Sequence, residues 1–216
     1  MVAAVLNLAK KPAPRLYRYS PQMAPRNPHH RRRDRSVECE LKFRVAGSHA
    51  HDRLRAILRK RGARLEGKYD EQNYRFEGPG KSTRRTTLRL RVLNGGPRGV
   101  LTAKGPANFV GGVKVREETE VEVKDAHATL DLLTELGFRV EFTYNKHRAM
   151  WMLDGAVTVT LDTLEYGWFV ELEGPLEVLP GQARSLGLNP AKALKDSYSV
   201  LARKHLAKLN RAAGAC

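Results

Sequence analysis

Apolar and polar residues alternate with a period of two from Val37 to Val45, which predicts a strand with one buried face. Ser48 is then expected to cap a helix with Leu54, Ile57 and Leu58 on one face, stopped by Gly62. The stretch around Tyr74 and Phe76 is loose, without a clear period, and runs into the breaker Gly78-Pro79-Gly80. Thr87–Val92 and Gly99–Lys104 read as two arms of a hairpin around Asn94-Gly95-Gly96-Pro97. Gly111-Gly112 precedes a long strand, Val113–Val123. Asp125 is expected to cap a second helix, with Leu130, Leu133 and Leu136 on one face, ending at Gly137. Strand-like runs follow at Arg139–Leu153, Val157–Asp162 and Trp168–Glu173. Beyond Gly174-Pro175 the chain turns helical, with Pro190 near one helix start. Tyr198, Leu201, Ala202, His205, Leu206 and Leu209 are expected to form the inward stripe of the last helix. The order strand–helix–strand occurs twice, over 37–76 and 113–152, a hint of internal pseudo-symmetry. The pattern is that of a strand-dominated α+β domain.

Charge changes this picture. Lys and Arg number 39 against 23 Asp and Glu, a formal net charge of +16 over 216 residues. Half of that excess lies in residues 1–35, which hold nine basic groups, the single acid Asp34 and five of the eleven prolines. Such a segment buries too little apolar surface to order itself and reads as a basic N-terminal tail. It suits an arm for nucleic acid or a membrane surface, a transit peptide, or a start site placed too early with Met23 as the alternative. The unstructured tail is the simplest of these. The domain proper is then 36–213. No apolar run approaches the ~18 residues of a transmembrane helix, so a membrane-spanning protein is excluded. Cys39 and Cys216 lie far apart, which argues against a disulfide scaffold or a cysteine zinc site and makes a reducing, cytoplasmic setting the default.

The candidate chemistry lies on the polar faces of the strands, because side chains two apart share a face. Glu38, Glu40, Lys42 and Arg44 oppose Val37, Cys39, Leu41, Phe43 and Val45. Arg89 and Arg91 oppose Leu88, Leu90 and Val92, and Thr102 and Lys104 oppose Leu101 and Ala103. Lys114, Arg116, Glu118, Glu120 and Glu122 share a face, as do Lys146 and Arg148. Asp162 follows Thr158 and Thr160, and Glu171 and Glu173 oppose Val170 and Leu172. Any one of these strands is most simply half-buried with a solvated face. If the charged faces converge inside a curled sheet, unpaired burial would be prohibitive, and the lumen then needs a charged ligand with metal ions. Paired carboxylates suit Mg²⁺ or Mn²⁺, while Arg and Lys suit phosphate oxygens. Acids and bases on one surface suggest metal with polyphosphate rather than bare nucleic acid.

The run Glu38-Cys39-Glu40-Leu41-Lys42 resembles the ExExK motif of the CYTH superfamily, the triphosphate tunnel metalloenzymes. These include class IV adenylate cyclases, thiamine triphosphatases and inorganic tripolyphosphatases. Further matches follow in family order: Leu88-Arg89-Leu90-Arg91, Leu101-Thr102-Ala103-Lys104-Gly105-Pro106, Arg116-Glu117-Glu118-Thr119-Glu120, Lys146-His147-Arg148, Leu161-Asp162 and Glu171-Leu172-Glu173. Ser197-Tyr198 at the start of the last helix is also similar. Glu40–Val45, Lys104-Gly105-Pro106 and Leu136–Arg139 look closest to the bacterial class IV cyclase-like branch, whereas residues 69–86 depart from the usual second strand.

The resemblance implies a closed antiparallel β-barrel, a tunnel of about eight strands with helices packed outside. By position, Glu38, Glu40, Glu171, Glu173 and Asp162 look like metal ligands, with Glu118 and Glu120 joining them or orienting water. Arg89, Arg91, Lys104, Lys146 and Arg148, with Arg116, look like a triphosphate clamp. Lys42 is similar to the motif lysine and would hold phosphate or assist proton transfer. The implied protein is an enzyme using Mg²⁺ or Mn²⁺, two per site, on a small triphosphate such as ATP, tripolyphosphate or thiamine triphosphate. Water as nucleophile gives hydrolysis; a ribose 3′-hydroxyl attacking the α-phosphate of ATP gives cAMP and pyrophosphate. The competing readings are a non-catalytic module for polyphosphate or RNA and a plain β-sheet interaction domain. The paired glutamates count against the first, since phosphate binding alone needs no carboxylates. A homodimer is compatible with all of these.

Overall fold

The structure is a computed structural model that describes residues 36–80 and 86–213, so the tail reading of residues 1–35 lies outside the described residues. Nine strands and four helices follow in the order β1 (Ser36–Val45), α1 (Ser48–Lys60), β2 (Arg64–Glu77), β3 (Thr87–Leu93), β4 (Gly99–Lys104), β5 (Asn108–Val110), β6 (Val113–Val123), α2 (Ala126–Glu135), β7 (Arg139–Leu153), β8 (Val157–Leu164), β9 (Gly167–Glu173), α3 (Leu179–Ser185) and α4 (Tyr198–Ala213). Hydrogen bonding runs β1-β9-β8-β7-β2-β3-β4-β6, every pair antiparallel, and a β1–β6 ladder closes the ring. The result is a closed eight-stranded barrel, with β5 paired to the start of β6. Closure leaves no long free edge and places alternate residues of every strand inside.

The apolar half of each alternation faces outward and is covered. Leu41, Phe43, Trp151, Val159, Leu161, Val170 and Leu172 form one core with Leu54 and Leu58 of α1 and Leu179 and Ala183 of α3. Phe76, Leu90 and Val92 form a second with Ala126 and Leu133 of α2. Phe169, Tyr144 and Leu164 are the exception: they share the inner face with Glu171, Lys146 and Asp162, and form a third cluster there with Tyr198 and Ala202 of α4. The two strand–helix–strand units interlock, β1 pairing β6 and β2 pairing β7.

Local chemistry fixes the connections. Asn94 and Gly95 both take positive φ, 53° and 63°, and Gly96 N–H bonds Leu93 O at 3.0 Å. That is the turn whose twist suits a two-stranded ribbon, and Asp154-Gly155 repeats it between β7 and β8. Asp125 caps α2 as expected, its carboxylate accepting from Ala128 N–H at 2.9 Å. Helix α1 differs: Gly47 stands at the cap, and Ser48 is already helical. The larger difference is β2, a 14-residue strand where the sequence showed no period. Its outward Lys68, Asp70 and Gln72 are exposed, its inward Glu71 and Asn73 are polar too, and the hydrophobic alternation is therefore lost. In α4 the stripe is shorter than expected: Tyr198 and Ala202 are buried, whereas Leu206 and Leu209 are exposed.

Candidate active site

Inward positions of all eight barrel strands converge on a lumen in which Glu40, Lys42, Glu71, Arg89, Thr102, Lys114, Glu118, Lys146, Arg148, Thr160, Asp162 and Glu171 are all buried. A charge so placed is tolerable only with partners. Two regions with different partnerships result.

The first is acidic. Glu38, Glu40 and Glu173 each bring a carboxylate oxygen to within 4.8 Å of the others. Strand pairing sets this up, because Glu40 and Glu173 are cross-strand partners of β1 and β9. Glu118 adjoins them, hydrogen-bonded to Glu38 and to Lys104, whose Nζ also lies 3.2 Å from Glu38. Burial and the neighbouring charges of Glu38 and Glu171 push the Glu173 carboxyl up to about 8. Burial and the hydrogen bond shared with Glu38 push Glu118 up to about 9. Glu38 is held well below the usual range: burial opposes its charge, but Lys104 and the hydrogen bond with Glu118 outweigh it. Carboxylates crowded until some retain protons are short of positive charge, and the all-oxygen donor set fits a hard divalent cation. Lys114 Nζ, 2.7 Å from Glu40 Oε1, and Lys42 Nζ, 3.1 Å from the same oxygen, compensate only part of that charge.

The second region is cationic. Arg148 grips Asp162 with both prongs, Nε to Oδ1 at 2.8 Å and Nη2 to Oδ2 at 2.7 Å, and also touches Glu171. The register makes Arg148 and Asp162 direct partners across β7 and β8. Tyr198 at the start of α4 donates to Asp162 Oδ2 at 2.7 Å, and its ring lies 4.3 Å from Lys42 Nζ. Lys146, Arg91 and Arg89 complete this wall around Glu71. The Nε atoms of Arg89 and Arg91 are buried without a hydrogen-bond partner among the described residues, as are both amide atoms of Asn73. Buried donors in that state call for an acceptor that the described residues do not provide. Lys42, between Glu40 and Glu171, stays an ammonium: burial opposes its charge, but the two carboxylates raise its pKa.

A family model, the CYTH domain, matches residues 36–178. The chain belongs to the CYTH domain family. No curated protein matches it. Among solved structures, the PH1819 protein of Pyrococcus horikoshii shares 27% identity at a TM-score of 0.64, covering 78% of this chain and 99% of its own. A candidate adenylate cyclase of Vibrio parahaemolyticus shares 20% at a TM-score of 0.66, covering 77% and 98%. HpAC1 of Hippeastrum, whose description is a candidate adenylyl cyclase with a dominant triphosphatase activity, shares 21% at 0.55, covering 70% and 88%.

The CYTH barrel sorts the expected site residues. Glu38, Glu40 and Glu173 stand together, with Glu118 adjoining. Asp162 and Glu171 stand apart from that cluster as counter-ions, Asp162 to Arg148 and Glu171 to Lys42 at 3.0 Å and to Arg148. Glu120 accepts from Thr102 Oγ1 at 2.8 Å, 3.9 Å from Arg89. Arg89, Arg91, Lys146 and Arg148 gather around Glu71, while Lys104 sits at the acidic corner. Arg116 turns its Nε and Nη2 to Gly105 O, at 2.9 and 2.7 Å, fixing the link after β4. Glu71, Asn73, Lys114 and Tyr198 are among the lumen residues to which sequence reasoning gave no role. Alternation of Glu71, Asn73 and Arg75 is the signal for the first two, once β2 is read as a strand.

Proposed function

We propose that this CYTH barrel is a divalent-metal-dependent enzyme that binds a triphosphate chain in its lumen and hydrolyses it. The observation that carries this reading is the juxtaposition of a crowded carboxylate corner with a cationic wall in which Arg89 Nε and Arg91 Nε have no hydrogen-bond acceptor among the described residues. Glu38, Glu40 and Glu173 would hold Mg²⁺ or Mn²⁺, which when bound would neutralise phosphate charge and polarise a water. Arg89, Arg91, Lys146 and Arg148 would hold phosphate oxygens, Arg as a fork and Lys as a point charge. Lys42, kept protonated, would donate to phosphate rather than accept a proton. Asp162 keeps Arg148 aimed into the lumen, and Tyr198 with the aromatic cluster of α4 excludes water from that part of it. Such positioned charges supply most of the catalysis that phosphoryl transfer needs.

Hydrolysis asks nothing beyond these groups and water. Cyclisation of ATP also needs a ribose held with its 3′-hydroxyl in line with the α-phosphorus. The triphosphatase activity described for HpAC1 agrees with the simpler reaction. The test incubates the full chain with tripolyphosphate and with ATP, each with Mg²⁺ or Mn²⁺. Metal-dependent orthophosphate release is expected, and the double variant Glu38→Gln/Glu40→Gln should lose at least about a hundredfold in rate while keeping its fold. cAMP with pyrophosphate as the main products would replace hydrolysis by cyclisation. Unchanged turnover in the double variant would overturn the ligand assignment.

A further inference from the structure

Beside Glu171, which pairs with Lys42 and Arg148, the cationic wall holds two further anions of different character. Asp162 is wholly buried and pinned by directed bonds: two from Arg148, one from the Tyr198 hydroxyl at 2.7 Å and one from Thr160 Oγ1 at 3.4 Å. Glu71 is also buried, at 3% exposure, but it is held by proximity of charge alone. Its Oε2 lies 3.1 Å from Lys146 Nζ and 3.5 Å from Arg91 Nε, and its Oε1 lies 3.8 Å from Arg148 Nε. None of these is a directed hydrogen bond, and Oε2 has no hydrogen-bond partner among the described residues. The carboxylate therefore stands among four cations as a phosphate oxygen would, without the geometry that fixes a structural ion pair.

We propose that Glu71 is a built-in competitor for the phosphate clamp, a carboxylate that neutralises Arg91, Lys146 and Arg148 in the empty barrel and yields them to an incoming polyanion. This rests on the reading of the barrel as a triphosphate site. Four like charges gathered in a low-dielectric lumen repel one another strongly, so an empty clamp needs an anion of its own. A carboxylate carries one charge, and a polyphosphate brings several. The ligand thus displaces Glu71, and the carboxylate returns as the product leaves. Glu71 is a positioning residue in this scheme, because it acts through the cations and takes no part in bond cleavage.

The test is isothermal titration of tripolyphosphate into the full-length wild type and Glu71→Gln in EDTA, so that no metal assists turnover. Removal of the competitor is expected to tighten binding by about tenfold. A counter-ion that merely holds the wall in shape gives the opposite sign, since its loss would scatter the cations and weaken binding. If Glu71→Gln is too unstable to purify, Glu71→Asp keeps the charge but withdraws it by one methylene, and its binding should also exceed the wild type's. Tripolyphosphate should raise the Tm of either variant by more than it raises that of the wild type. Equal or weaker binding by the variants, with tight wild-type binding, overturns the role of Glu71 and leaves the triphosphate reading in place. Absence of binding by wild type and variants alike, with or without Mg²⁺, overturns both.

Discussion

At the scale of single residues, the site is governed by which charges have partners fixed by strand register. Asp162 and Arg148 meet because β7 and β8 place them opposite each other, and Tyr198 adds a third bond. Replacement of Asp162 by Asn leaves Arg148 and Lys146 buried with one counter-ion fewer, so a loss of about 3–5 kcal/mol is expected in urea denaturation. A loss below about 1 kcal/mol would show that Asp162 is not the anchor described. The acidic corner has the opposite character, since its carboxylates repel. Glu173 and Glu118 keep their protons up to about 8 and about 9 in the folded protein, against 4.5 for the ordinary side chain. The folded state then binds more protons than the unfolded one above about pH 4.5, and stability falls as pH rises towards 8. Glu38, Glu71 and Glu171, whose carboxyls are held low, contribute stability that is complete above the ordinary carboxyl value of 4.5 and is lost only on acidification below it. Burial lowers the pKa of His51 from 6.5 and opposes this trend at lower pH, so thermal unfolding in EDTA should show a Tm that declines from about pH 6.5 to about pH 8, and saturating Mg²⁺ should flatten the decline. A Tm that climbs through that interval without metal would contradict the corner's geometry.

Elements differ in how far their role could be read from the chain. Helix α4 packs through its first turns only, with Tyr198 and Ala202 against Phe169 and Tyr144. Tyr198→Ala should therefore cost about 3 kcal/mol or more, whereas Leu206→Ser with Leu209→Ser should change stability by less than about 0.5 kcal/mol, both by chemical denaturation. The apolar stripe extended over all of these positions, and nothing in its periodicity marked where the barrel wall ends. Strands β1, β3, β4, β6, β8 and β9 were legible because each pairs an apolar face with a charged one. Strand β2 was not, since its lumen face and its solvent face are both polar, and Glu71 and Asn73 went unassigned with it. The inward charges themselves were legible from alternation alone. Their division into a carboxylate corner and counter-ions was not, because whether Glu173 meets Glu40 or Glu171 meets Lys42 depends on register between strands far apart in sequence.

For the molecule as a whole, the fold and the chemistry share one cause. Strands that pair an apolar face with a charged one have two ways to satisfy both, an open sheet with wet charges or a closed barrel with charges inside. The β1–β6 ladder, from Ser36 opposite Glu118 to Glu40 opposite Lys114, selects the second and brings Glu38, Glu40 and Glu118 together. Helices α1, α2 and α3 cover apolar surface outside, and α4 places Tyr198 against the buried ions. No helix among the described residues is long and apolar enough to cross a membrane. The claim at the centre is that metal and phosphate chain meet inside this barrel. Anomalous diffraction from crystals grown with Mn²⁺ and a non-hydrolysable triphosphate tests it most directly. The expected map shows manganese between Glu38, Glu40 and Glu173, with phosphate oxygens on Arg89, Arg91, Lys146 and Arg148. Manganese and triphosphate bound only to the outer surface, around an empty lumen, would contradict it.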